Sequence, residues 1–240
     1  MIIIFAVDAL EHKLVEEFDC KNLKQKYYGK TNISEFSQPR TMVLWSSFMT
    51  GINREKDVIG EGNKEMWNKK WDINETFFKN FNNPVVLDLP GFSYTLDVHE
   101  ESRKDLKDFF MTEDKEKKEE IKKKYNKDAF DHHRKIKEDF YKALEEDHDL
   151  VLGYFSVADV IGHLNFGSKM MMKLIYNDLD DIAKHCAEKG HPLIILSDHG
   201  MEGIGMFGDH STYGFWSTNF KDMGNPKITE FSKTILEVKE

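Results

Sequence analysis

The stretch Leu193-Ile194-Ile195-Leu196-Ser197-Asp198-His199-Gly200-Met201 joins a short, wholly apolar run to a group of polar ligands. Four consecutive aliphatic residues leave no polar face, so the run reads as a strand covered on both sides, as in a parallel sheet. In open sheets of that kind ligands collect beyond the carboxyl ends of the strands. Asp198 and His199 stand at such an end. The arrangement recurs: Ile2 to Val7 stops at Asp8, and Leu150 to Phe155 is followed by Asp159 and His163. Val85 to Leu89, closed by Pro90-Gly91, is a further apolar run, and Glu11 to Phe18 reads as a short helix. The pattern predicts an α/β fold built on a mostly parallel sheet with helices on both faces.

With 240 residues, 40% of them hydrophobic, the chain is long enough for one domain spanning 1–240. Between 100 and 149 the composition turns to lysine and glutamate. Phe109, Phe110, Ile121, Tyr125, Phe130, Ile136, Phe140, Tyr141 and Leu144 recur there at helical spacing, which predicts a charged helical insertion or cap. His132 and His133 are adjacent on this helix, so they point to different faces and do not form a metal pair. A solvated helical face explains the charge run more simply than a substrate lid does.

A net charge of -9 argues against general nucleic-acid binding, which needs a basic face. No segment approaches the roughly 18 apolar residues of a membrane span. The first seven residues lack a basic leader and meet Asp8 at once, so a buried strand is expected there rather than a secretory signal. Cys20 and Cys186 are the only cysteines, far apart and without a CxxC partner, which fits a reduced, cytoplasmic setting.

The chemistry concentrates in Asp8, Asp159, His163, Asp198, His199 and His210. Carboxylates mixed with imidazoles suit Zn²⁺ first, with Mn²⁺ or Fe²⁺ as alternatives, and the ligands exceed what one ion needs. Two divalent ions are expected. Singly, each residue has a plainer reading as a cap, turn or core side chain; their joint order is what points to a metal centre. Upstream, Ser37-Gln38-Pro39-Arg40-Thr41 leads into a mostly apolar run ending in Thr50-Gly51. This reads as a loop entering a helix, whose N-terminal amides would place an anion beside Thr41.

In this order the residues resemble the alkaline phosphatase superfamily, and within it the type I phosphodiesterase and nucleotide pyrophosphatase branch. The resemblance covers Met1 to about Trp216 and rests on Asp8, Thr41 nine residues before Thr50-Gly51, Asp159 with His163, Asp198-His199-Gly200-Met201, and His210. It implies an alkaline-phosphatase-like fold, one metal held by Asp159, His163 and His210, and a second held by Asp8, Asp198, His199 and Thr41. Thr41 would attack phosphorus to give a phosphothreonine, which water then hydrolyses. Asn63 and Arg40 are the accompanying candidates for holding phosphate oxygens. The implied substrate is a small phosphate ester, with diesters or pyrophosphates favoured because Arg40 is the nearby cation and Trp45, Phe215 and Trp216 supply apolar surface.

Some features depart from that branch. Asp57-Val58 stands where many relatives carry His-Gly, and Arg40 is not the usual neighbour of the nucleophile. The chain is also short for the family and has no recognisable secretion signal. Thr41 argues against sulfatases, which use a modified Cys or Ser. A phosphomonoesterase or a phosphoglycerate-mutase-like phosphotransferase is the alternative activity. From another class, the metals could staple a non-catalytic phospho-ligand-binding protein, although a structural metal pair does not require Thr41.

Overall fold

The computed structural model describes residues 1–60 and 65–239. The N-terminal run forms β1 (Ile2–Val7), every residue of which is buried. Alternate side chains enter different cores. Ile2, Ile4 and Ala6 pack on one face of the sheet, against residues of α2 (Thr41–Thr50) and α8 (Phe231–Lys239). Ile3, Phe5 and Val7 pack on the other, against α5 (Lys115–Leu144), α6 (Val157–Asn165) and α7 (Lys169–Glu188). Cover on both faces is why the strand shows no polar alternation.

β4 (Leu150–Phe155) and β5 (Leu193–Leu196) flank β1 in parallel, with Ile4 opposite both Leu152 and Ile194. β3 (Pro84–Leu87) extends the parallel set beyond β4. On the other side β8 (Tyr213–Thr218) runs antiparallel to β5, and β2 (Tyr27–Asn32) antiparallel to β8. The order is β2-β8-β5-β1-β4-β3, a mixed, mostly parallel sheet of six strands between helical layers. A hairpin of β6 (Met201–Ile204) and β7 (Phe207–His210) stands apart from it. β2, β6 and β7 mix exposed with buried positions and lack an apolar run. Nothing short-range in the sequence announces them.

The charged segment forms α4 (Leu96–Met111) and α5, whose start is capped by Asp114 accepting from the amides of Glu116 and Lys117. It is more than a solvated insertion. The second half of α5 belongs to the core: Ile136, Phe140, Ala143 and Leu144 are buried, and the Phe140 ring lies where a Cβ on Gly153 would approach it to 2.6 Å. Burying one such phenylalanine contributes about 1.5–3 kcal/mol. The first half of α5 and α4 instead surround a small cluster of Phe109, Tyr125 and Leu164. Among the described residues no helix is long and apolar enough to cross a membrane. Cys20 and Cys186 are both free and buried.

Candidate metal centre and catalytic cleft

Asp8 follows β1 directly, and the chain then turns at Ala9 with φ 57°, a conformation non-glycine residues seldom adopt. The turn is tied down from β5: the Leu10 amide donates to Ser197 Oγ at 2.9 Å, and that hydroxyl donates to the His199 carbonyl at 2.6 Å. Neighbouring strand ends are thus stitched together, which brings Asp8 to Asp198 and His199. From β4 the Tyr154 hydroxyl donates to Asp8 Oδ2, leaving Oδ1 directed elsewhere.

Close backbone approach explains two glycines of the motifs. A Cβ on Gly200 would lie 2.3 Å from Glu11 Oε2 and 2.7 Å from Ser211 Oγ, inside contact distance. Glu11 holds this loop by accepting from the Met201 amide at 3.1 Å and the Tyr213 hydroxyl at 2.7 Å. On Gly162 a Cβ would meet Met201 Sδ at 2.2 Å. The Asp159-to-His163 turn and the Asp198-to-Met201 turn therefore interlock through the side chain of Met201 in the space beside Gly162.

Thr41 is the first residue of α2, and no side chain caps that helix. Uncapped first-turn amides and the helix dipole favour an anion. Thr41 Oγ1 lies 3.3 Å from His199 Nε2. Asp8, Thr41, Asp159, His163 and His210 all line one cavity of about 190 Å³, with Asp198 and His199 fully buried beside it. The seven residues singled out for metal binding are thus brought together.

Their spacing fits shared ions. Asp159 Oδ1 is 3.3 Å from the Nε2 atoms of both His163 and His210; His199 Nε2 is 3.3 Å from Asp8 Oδ1 and 3.4 Å from Asp198 Oδ2. Ligands bound tetrahedrally at about 2.0 Å from zinc stand about 3.3 Å apart. Asp8 Oδ1, Asp159 Oδ1, both Asp198 carboxylate oxygens and His210 Nε2 are buried without a hydrogen-bond partner among the described residues. Buried polar atoms in such a state call for a ligand. The opposite ring nitrogens are engaged: Nδ1 donates to the carbonyl of Gly208 from His163 (3.1 Å), of Gly200 from His199 (3.0 Å) and of Pro39 from His210 (2.8 Å). Because a carbonyl only accepts, each neutral ring presents its Nε2 lone pair inward, as a metal ligand must. The donor set fits two divalent cations, with His199 lying between the Asp8/Asp198 group and the Asp159/His210 group.

The protein groups by themselves balance charge unevenly. Burial and the neighbouring Asp159 push Asp8 up to about 7, and burial together with Asp8 pushes Asp198 well above the usual carboxylate range. Burial and His210 push His199 down to about 3. Burial would lower His210 too, but Asp159 outweighs it and raises the imidazole to about 9. Three crowded carboxylates in a water-poor site favour cations, protons or metals, over staying bare.

Other sequence expectations fare differently. Asn63 lies outside the described residues. Arg40 does not line the cavity; its Nε donates to Gln38 Oε1 at 2.8 Å and its Nη1 approaches Met66 Sδ at 4.0 Å. Trp45, Phe215 and Trp216 are buried in the core and supply no cleft surface, because the side of α2 that carries Trp45 faces the sheet. Trp67, Tyr94, Tyr125 and Tyr154 form the cleft's aromatic wall, and α4 contributes His99, Ser102, Arg103 and Leu106. Sequence reasoning missed Arg103, since a lone arginine in a charge-rich helix carries no local signal.

It also missed a convergence on Asp88, which follows β3 at φ 59°. His99 and His132 direct Nε2 to its Oδ2 at 2.8 and 2.7 Å, and the Thr95 amide donates to Oδ1 at 2.7 Å. These are hydrogen-bond lengths, shorter than the spacings in the cleft, and they fasten α4 and α5 to the edge of the sheet. His133 faces away, to Asp178 at 2.7 Å.

No family model matches the sequence. No curated protein matches it either. Among solved structures the chain is similar to a mutant of the TAB5 alkaline phosphatase with magnesium bound in its M3 site: 14% identity, 99% of this chain and 97% of that one covered, TM-score 0.54. It is also similar to murine ectonucleotide pyrophosphatase/phosphodiesterase 5 at 12% identity and a TM-score of 0.45, covering 85% of this chain and 58% of that one. An inactive form of the murine protein in complex with AMP gives a TM-score of 0.44. The chain thus spans little more than half the length of these phosphodiesterase neighbours. The likeness is one of fold: the chain has an alkaline-phosphatase-like, mostly parallel sheet flanked by helices.

Proposed function

We propose that this protein is a metal-dependent hydrolase that cleaves phosphodiester or pyrophosphate bonds through a phosphothreonine at Thr41. One observation carries the reading: a threonine hydroxyl at the start of an uncapped helix lies 3.3 Å from His199 Nε2, in the cavity where Asp8, Asp159 and His210 meet. A structural metal pair has no use for it. The carboxylate and imidazole set favours Zn²⁺, held by Asp159, His163 and His210 on one side and by Asp8, Asp198, His199 and Thr41 on the other. When bound, such ions lower the pKa of the hydroxyl and offset charge on the phosphoryl oxygens.

Thr41 Oγ1 attacks phosphorus, while the first amides of α2, fixed in advance, donate to the non-bridging oxygens. The bond to the departing oxygen breaks, and water then displaces Thr41 to release the phosphate. Tyr154 keeps Asp8 turned so that one carboxylate oxygen faces the cleft. Trp67, Tyr94 and Leu106 give apolar surface beside the reacting group, which supports a substrate with a second substituent on phosphorus. The test is a panel of nitrophenyl monoesters and diesters assayed with Zn²⁺, Mn²⁺ and Mg²⁺, with Thr41→Ala alongside. Turnover by the wild type, lost in Thr41→Ala with metal content kept, is expected; near-normal turnover by the variant would reject the covalent route.

A further inference from the structure

The helices α5 and α7 both pack on α6 and leave between them a groove of about 670 Å³, which shares no lining residue with the metal cleft. Phe130, His133, Lys137 and Tyr141 recur on α5 at intervals of three and four residues, so one stripe of that helix forms a wall. Leu174 and Asp178 face them from α7. At the inner end His133 is only 8% exposed, whereas Leu174, at 57%, stands open to solvent.

The His133 ring is fixed on two sides. It lies across Phe155, with centroids 5.5 Å apart and planes at 67°, and its Nε2 meets Asp178 Oδ2 at 2.7 Å. Lys137 Nζ donates to the other oxygen of that carboxylate at 2.6 Å. Because a carboxylate only accepts, Nε2 carries the proton and the neutral ring presents a bare Nδ1. That nitrogen is buried and has no hydrogen-bond partner among the described residues. A buried acceptor left unsatisfied is costly, so the groove calls for a donor. The basic residues of its walls are already engaged, Lys137 with Asp178 and Arg134 with Asp131, while Glu138 and Asp181 add negative charge. An anion gains little there. The rings of Phe130 and Tyr141 instead favour a flat apolar body.

We propose that the groove between α5 and α7 is a second binding site, for a small, flat, uncharged molecule with one N–H or O–H donor. The donor meets His133 Nδ1, and the apolar body lies among Phe130, Tyr141 and Leu174. Small-molecule clefts typically measure about 300–1,000 Å³ and pair apolar walls with a few placed polar groups; this groove has that size and that make-up. The site owes nothing to the chemistry of the metal cleft. His132, one position earlier on α5, is held by Asp88, and that contact fixes the turn of helix from which His133 faces the groove.

The test titrates two matched pairs of probes into the full, metal-loaded chain: indole against benzofuran, and 4-methylphenol against 4-fluorotoluene. Each pair keeps shape and removes the donor. Methyl NMR shifts of Leu174 and Ile175 report on the groove itself, so binding at the metal cleft does not register. At least one donor probe should move both signals to saturation, and its donor-free partner should bind about fivefold to tenfold more weakly, the size of one hydrogen bond. His133→Phe should abolish that preference, and Leu174→Arg, a change at an exposed position, should abolish binding. If His133→Phe does not fold, the wild-type pairs and Leu174→Arg still decide. No saturable shift with either donor probe, equal affinity within both pairs, or unchanged binding by Leu174→Arg would overturn the proposal. Sedimentation of the wild type and Leu174→Arg covers the other occupant: a wild-type dimer that this variant dissociates would show that a second copy fills the groove, and would equally overturn it.

Discussion

His199 Nε2 lies 3.3 Å from Asp8 Oδ1, an atom that finds no hydrogen-bond partner among the described residues. The first residue after one strand and a residue just beyond another, 191 positions apart in the chain, are set at the spacing of two ligands on one ion.

The crowding of Asp8, Asp159 and Asp198 predicts that metal strongly stabilises the fold. Zn²⁺ at a thousandfold excess over its Kd should contribute about 4 kcal/mol, read as a rise in melting temperature over chelator-treated protein. Asp198→Asn should remove much of that response and melt higher than wild type when both are metal-free, because burial no longer opposes a charge at that position. A metal-free variant that melts well below metal-free wild type would contradict this.

His210→Ala removes one ligand of the Asp159 group and leaves the Asp8/Asp198 group complete. Metal content should fall towards one ion per chain at low free Zn²⁺ and recover as Zn²⁺ is raised. A loss of both ions together, unrecovered in excess metal, would show that the groups do not bind separately.

Gly200→Ala inserts a methyl group where Glu11 Oε2 lies 2.3 Å away and Ser211 Oγ 2.7 Å away. Overpacking of this kind costs about 1–3 kcal/mol, and the shift falls on the residue after His199. Both chemical-denaturant stability and metal affinity should drop. Unchanged values in both measurements would mean that the loop relaxes freely.

Asp88 supplies a pH dependence. Burial pushes its carboxyl up, but the hydrogen bonds from His132 and His99 outweigh burial and hold it below the usual carboxylate range. A carboxyl depressed in the folded state binds fewer protons than its unfolded counterpart. Its contribution is therefore complete above the unfolded pKa, near 4, and is lost as the pH falls further. Asp88→Asn should destabilise by about 2–4 kcal/mol at pH 7, and its deficit should shrink as the pH is taken from 5 towards 3. A deficit constant over that range would show that charge is not what Asp88 contributes.

Much of the sheet is legible from local composition. Strands buried on both faces cannot afford polar side chains, so β1, β4 and β5 appear as unbroken apolar runs whose ends point to Asp8, Asp159 and Asp198. The stop of α2 at Gly51, φ 73°, follows from a left-handed glycine, whereas its start at Thr41 has no side-chain cap. The strands β2, β6 and β7 were not legible, because each is stabilised by a partner rather than by its own pattern.

For the site, the sequence by itself marked which groups are candidate ligands and which hydroxyl accompanies them, since metal chemistry restricts the residue types and strand ends restrict where they stand. Only the tertiary structure decided what surrounds them. Trp45 and Trp216, near the ligands in the chain, turn into the core, whereas Trp67, Tyr94 and Arg103, with no motif to mark them, face the cleft. Likewise His99 and His132 acquire a role only when α4 and α5 fold back to place both rings on Asp88. Side-chain direction depends on which element packs against which, and that is settled by contacts between residues far apart in the chain.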